Sequence, residues 1–143
     1  MLSKLIARMV TPHRVVHAHC DLPCGVYDPA QARIEAESVQ KIQEKYSDAQ
    51  NQKKPSETVD DYKARCLVIK EERADLVKHH LWVLWTDYFK PAHVQKYPQL
   101  HDLFWNATKE AGEAKKSTDP NQGQKLLDMI GEIDKIFWET KKA

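Results

Sequence analysis

Apolar side chains recur at steps of three and four in four stretches of the chain, the period that lines them up on one face of an α-helix. The first stretch follows Asp28-Pro29, whose proline suits an opening helical turn, and runs without Gly or Pro as far as Lys54. Its stripe is Ala32, Glu35, Val39, Ile42, Tyr46 and Ala49. Gln52 to Pro55 is polar and ends in proline, so it reads as a loop, with Ser56 the expected N-cap of a second helix reaching about Phe89. That helix carries a stripe at Val59, Tyr62, Cys66, Ile69, Arg73, Leu76, His80 and Val83, beside a row at Leu67, Ala74, Val77, Leu81, Leu84 and Tyr88. After a connection from Pro91 to Pro98, Leu100, Leu103, Phe104, Ala107, Ala111 and Ala114 mark a third helix, whose last turns Gly112 is expected to weaken. Asp119-Pro120 supplies a cap and a first turn for a fourth, with Leu126, Leu127, Ile130, Ile133 and Phe137 along one side. Four amphipathic helices on short loops predict an all-α fold, an antiparallel four-helix bundle.

Two positions break this pattern. Glu35 and Arg73 fall on stripes where apolar residues are expected, and charged side chains are seldom fully buried unless paired. The two are expected to meet. The alternative is that they sit at the stripes' edges and reach water through their long side chains.

Composition narrows the class. The 143 residues suit one domain, with 41% hydrophobic and 30% charged residues in a globular balance. Uncharged stretches such as Leu81 to Thr86 are far short of the ~18 to 20 apolar residues that cross a bilayer, so no membrane span is expected. Lys plus Arg total 22 against 21 Asp plus Glu, a formal charge of +1, which lacks the basic excess that nucleic acid attracts. Residues 1–18 stand apart, with Lys4, Arg8 and Arg14 but no acid before Asp21. Arg8 and Pro12-His13-Arg14 interrupt the apolar run that a secretory signal needs, so export is not favoured and the cytoplasm is the expected location. The segment reads as a propeptide to be removed after Ala18, or more plainly as a frayed tail.

The chemistry lies in His19-Cys20-Asp21-Leu22-Pro23-Cys24-Gly25-Val26-Tyr27, which packs one imidazole and two thiols into six residues. Pro23 fixes one backbone angle and Gly25 opens others, so the stretch can form a hook that turns both sulfurs toward one point. Three readings follow from the spacing. Zinc would use His19, Cys20 and Cys24 and need a fourth ligand such as His93 or His101. A Cys20–Cys24 disulfide would be a redox element of unfamiliar spacing. If the chain is cut after Ala18, the His19 amine, the Cys20 amide nitrogen and both thiolates form a planar set of nitrogen and sulfur donors, which suits nickel or copper better than zinc.

Residues 19–39, HCDLPCGVYDPAQARIEAESV, closely resemble the nickel hook of nickel-dependent superoxide dismutases. The likeness continues in KHHLWVLWTDYFKPAHVQKYPQLH (78–101) and IDKIFWETKKA (133–143). The resemblance implies a homohexamer of four-helix bundles, each with one nickel ion, converting the superoxide anion to dioxygen and hydrogen peroxide. It implies that His19 gives its amine and imidazole to the metal, Cys20 its amide nitrogen and thiolate, and Cys24 its thiolate. Glu35 matches the carboxylate that orients the ligand imidazole, and Arg73 the arginine paired with it. Tyr27 and Tyr88 match tyrosines lining the substrate approach, and Asp21 is expected to hold the hook through backbone hydrogen bonds. Cys66 has no such match and reads as a packing residue. Domains are thus expected at 1–18, a propeptide, and 19–143, the bundle with its hook at 19–27. While residues 1–18 remain attached the His19 nitrogen is a peptide nitrogen, so the full chain reads as an inactive precursor awaiting a protease. The competing function is a non-catalytic bundle that stores nickel or zinc.

Overall fold

The computed structural model describes residues 24–142. Helix α1 (Ala30–Ser47) starts where the Asp28 carboxylate accepts a hydrogen bond from the Ala30 amide at 2.8 Å. It breaks at Asp48 and resumes as one turn, α2 (Ala49–Gln52), so the first helical span is nearly as long as expected. The Asp48 carboxyl accepts from the Gln52 and Asn51 side-chain amides, which lowers its pKa.

Helix α3 (Val59–Val83) is capped by Thr58 and not by Ser56. The Thr58 hydroxyl accepts from the Asp61 amide at 3.1 Å and donates to the Asp61 carboxylate at 2.6 Å, a reciprocal arrangement that Ser56 stands too early in the chain to make. A π-helical turn, Leu84–Tyr88, carries the helix on to Tyr88. Pro91 to Pro98 is more than a connection, because Pro91–Lys96 forms a short helix α4. Helix α5 (Leu100–Lys116) continues past Gly112 without the expected weakening, and α6 (Pro120–Lys141) begins at the Asp119 cap as expected.

The four long helices α1, α3, α5 and α6 pack as a ring in chain order. Paired contacts at both ends give their directions. The start of α1 meets the far part of α3 through Glu35 and Arg73, while Tyr46 near its end lies under the Lys63 ammonium near the start of α3. Lys70 of α3 reaches the carbonyls of Ala114 and Lys115 at the end of α5. Gln40 of α1 bonds Gln124 of α6 at 2.8 Å, and Tyr88 bonds Thr140 at the opposite end of α6. Neighbours therefore run antiparallel, and the all-α, antiparallel four-helix bundle is the fold.

The buried face of α3 follows the expected row of Ala74, Val77, Leu81 and Leu84 more closely than the stripe through Ile69 and Arg73. Cys66, Lys70, Ala74, Val77, Leu81 and Leu84 are buried, whereas Ile69 is 39% exposed. Lys70 causes the discrepancy. It is only 2% exposed, burial pushes its pKa down, and its ammonium donates to the Lys115 carbonyl and to the Ala114 carbonyl, which the Gln43 amide also reaches, at the end of α5. A pattern that treats lysine as solvated misses that position. On α1 the deepest positions are Ala32, Ala36, Val39 and Gln43, so Glu35 flanks the core face; Arg73 likewise flanks the core face of α3.

Gly123, at the start of α6, lies directly on α1. A methyl group there would come within 2.7 Å of the Gln40 Cα and 2.5 Å of Gln43 Oε1. Backbone cannot yield as a side-chain tip can, so Gly123→Ala is expected to destabilise the fold by about 1–3 kcal/mol. Urea unfolding of the metal-free protein checks this, and an unchanged midpoint would remove the claimed close approach.

Candidate metal centre

The described chain begins at Cys24, two residues before Val26, which lines a cavity with His80 and Val83 at the end of α3. His19, Cys20 and Asp21 lie outside the described residues. Cys24 is exposed and free, and its sulfur lies 3.9 Å from the Val26 carbonyl oxygen. Gly25 has φ +71, the only positive φ among the described residues. A side chain there would be strained by about 1–2 kcal/mol even though space is open, so the expected turn at Gly25 is present. It redirects the chain between Cys24 and Tyr27.

Tyr27 lands on Tyr88, with ring centroids 5.7 Å apart. The π-helical turn ending at Tyr88 shifts the register of that residue relative to a continuous α-helix, a distortion common where function needs a side chain re-aimed. Tyr88 is held on other sides by Phe137 at 4.4 Å, Phe89 at 5.0 Å and a stacked His93 at 5.7 Å. The two tyrosines predicted from sequence are therefore brought together. Below them a cavity of about 30 Å³ is lined by Val26, Tyr27, Asp28, Gln31, His80 and Val83, with room for one or two waters.

Glu35 and Arg73 also meet. One guanidinium nitrogen donates to both carboxylate oxygens of Glu35, at 3.2 and 3.4 Å. The Glu35 side chain is 15% exposed and that of Arg73 38%, so the pair sits at the edge of the core with its cation toward water. Contact through a single nitrogen leaves lone pairs on Glu35 available for a further donor such as an imidazole N–H. Both sequence expectations, pairing and an edge position, are realised together.

Among the described residues no group of three His, Cys, Asp or Glu side chains could hold a metal, so none of the helices carries a ready-made site. His93 accepts from the Lys90 amide at 3.3 Å and stacks on Tyr88, and His101 sits 3.4 Å from Asp102 with its ring against Trp85. Cys66 is buried, and burial pushes its thiol up, away from the thiolate a metal needs. Cys24 joins exposure with the glycine turn that leads to Tyr27. An exposed sulfur on a glycine turn fits a metal bound by thiolates at the head of the chain.

The sequence gives no site role to His80, a stripe residue that lines the cavity, or to Thr140 and Lys141 beside Tyr88, and it offers His93 only as a fourth zinc ligand, whereas that ring stacks on Tyr88. No local spacing marks them. The C-terminal run containing Thr140 and Lys141 entered only as a likeness, with no role.

Comparison with known proteins agrees with this arrangement. A family model described as nickel-containing superoxide dismutase matches residues 14–141. A relative named superoxide dismutase [Ni] from Streptomyces seoulensis is 58% identical over 141 residues, 97% of this chain and all of that protein. One of the same name from Streptomyces coelicolor is 57% identical over 143 residues, the whole of both chains. A crystal structure of nickel-containing superoxide dismutase with ligation of the oxidised state has a TM-score of 0.78 and 61% identity, covering 87% of this chain and all of that one. A native nickel superoxide dismutase structure gives 0.77 and 59% over the same shares.

The ion pair is too exposed to carry much stability. Glu35→Gln is expected to change the unfolding free energy of the metal-free protein by less than about 1 kcal/mol. A loss several times larger in chemical denaturation would make Glu35 a structural anchor instead.

Proposed function

The chain belongs to the nickel-containing superoxide dismutase family, and from that premise we propose that its nickel is held by His19, Cys20 and Cys24 at a terminus freed by cleavage after Ala18. The reaction is dismutation of superoxide to dioxygen and hydrogen peroxide. The observation that carries the reading is a family match that runs unbroken through the hook and the bundle beneath it. Storage without catalysis explains neither the paired tyrosines nor the re-aimed register of Tyr88.

Bound nickel supplies a one-electron carrier whose higher state thiolate and amide donors bring within reach. The chain's own groups do the rest. His19 gives its amine and imidazole, Cys20 its amide nitrogen and thiolate, and Cys24 its thiolate. Glu35 accepts from the imidazole and fixes its orientation, while Arg73 fixes Glu35. Asp21 ties the hook to itself through backbone amides. Tyr27 and Tyr88 line the approach and order water and the anion.

Residues 1–18 are a propeptide in this reading, and a maturation protease makes the His19 amine available. The oxidised-state and native structures are covered end to end by 87% of this chain, the share that residues 19–143 represent, which supports the division. We place one nickel in each subunit of a homohexamer. Large exposed apolar side chains, Trp82, Trp105 and Val68 among them, favour association. The cytoplasm is the proposed compartment, and no described helix is long and apolar enough to cross a membrane.

Cys20→Ser and Cys24→Ser are each expected to lose nickel and reduce dismutation to background. Cys66→Ser should keep both, at a stability cost of about 1 kcal/mol. Nickel analysis and superoxide decay measured on the same samples check this, and activity retained in both hook variants would exclude the centre. Intact mass provides a second test. Active protein should begin at His19, and full activity from a chain that retains Met1 would contradict the requirement for a free amine.

A further inference from the structure

The Tyr88 hydroxyl lies 2.7 Å from Thr140 Oγ1, and that oxygen lies 2.6 Å from the Phe137 carbonyl oxygen. A carbonyl can only accept, so the single hydroxyl hydrogen of Thr140 is committed to Phe137. Tyr88 must then be the donor to Thr140, and its own single hydrogen is committed as well. Only lone pairs remain on the Tyr88 oxygen.

We propose that Thr140 is a positioning residue for dismutation, which takes the Tyr88 proton and so fixes this phenol as a hydrogen-bond acceptor toward the substrate approach. The proposal rests on the reading of Tyr88 as a residue of that approach. Superoxide is an anion and needs donors. A phenol whose proton is held elsewhere offers it none directly, but orients a water that donates one hydrogen to the Tyr88 oxygen and the other to the anion. The ring cannot easily turn to escape this arrangement. Phe137 and Tyr27 pack against it, and the Lys141 ammonium lies 5.1 Å from its centroid, so adjacent residues of the last α6 turn hold both hydroxyl and ring. Thr140 itself is fixed by its bond to a carbonyl three residues earlier on its own helix.

Thr140→Val keeps the branched shape and removes the acceptor, and Thr140→Ser keeps the acceptor. The first measurement needs no metal. In metal-free protein carrying carbon-13 at tyrosine Cζ, the Tyr88 resonance, identified by its loss in Tyr88→Phe, is expected to move in Thr140→Val and stay in place in Thr140→Ser. In the nickel-loaded protein, kcat/KM per bound nickel is expected to fall about fivefold in Thr140→Val, the scale of one lost hydrogen bond, and to recover in Thr140→Ser. In a Tyr88→Phe background Thr140→Val should cause no further loss. An unmoved Cζ resonance, a rate that stays level or rises in Thr140→Val, or an equal fall without the Tyr88 hydroxyl overturns the proposal. Native kcat/KM in Tyr88→Phe alone would instead remove Tyr88 from the approach, and the role of Thr140 with it.

Discussion

The close packing of α1 against α3 is the constraint on which the rest depends. Ala32 and Ala36 on one helix and Ala74 and Val77 on the other are fully buried, and small side chains let the two backbones approach. Because the helices run antiparallel, the same contact brings the beginning of α1 beside the end of α3. Glu35 then finds Arg73, and Tyr27, just ahead of α1, finds Tyr88, just past α3. A bulkier residue at these alanines would separate both pairs together.

Among the described residues the bundle end forms no metal site from its own helices. Gly25 turns the chain, Asp28 caps α1, and the π-helical turn presents Tyr88, so three local backbone features converge on the place where the hook begins. In the proposed centre the helices supply the partners that orient ligands, and the terminus supplies the ligands. This division explains why the described helices contain no metal-binding cluster although the family is defined by a metal. Under the proposed ligand set the chemistry depends on a cut, because a helix can offer side chains but only a free terminus offers an amine.

The fold was largely legible because the helical period is strong in all four long segments and the prolines lie between them. Boundaries were less so. Thr58 and Ser56 are both capping residues, and only the reach of Asp61 decides between them. Lys70 on the buried face of α3 was not legible, because a buried lysine looks polar in any pattern and its carbonyl partners come from a helix 44 residues away in sequence. At the site, the Glu35–Arg73 pair was readable as two misplaced charges. Thr140 was not, since its meaning arises from a contact across 52 residues and from a proton that only the neighbouring carbonyl assigns.

The central claim is that sulfur from the hook is bonded to nickel in the working enzyme. X-ray absorption at the nickel edge of active protein beginning at His19 measures this directly. The account expects two sulfur neighbours alongside lighter donors, and an active sample whose nickel has no sulfur neighbour would contradict it.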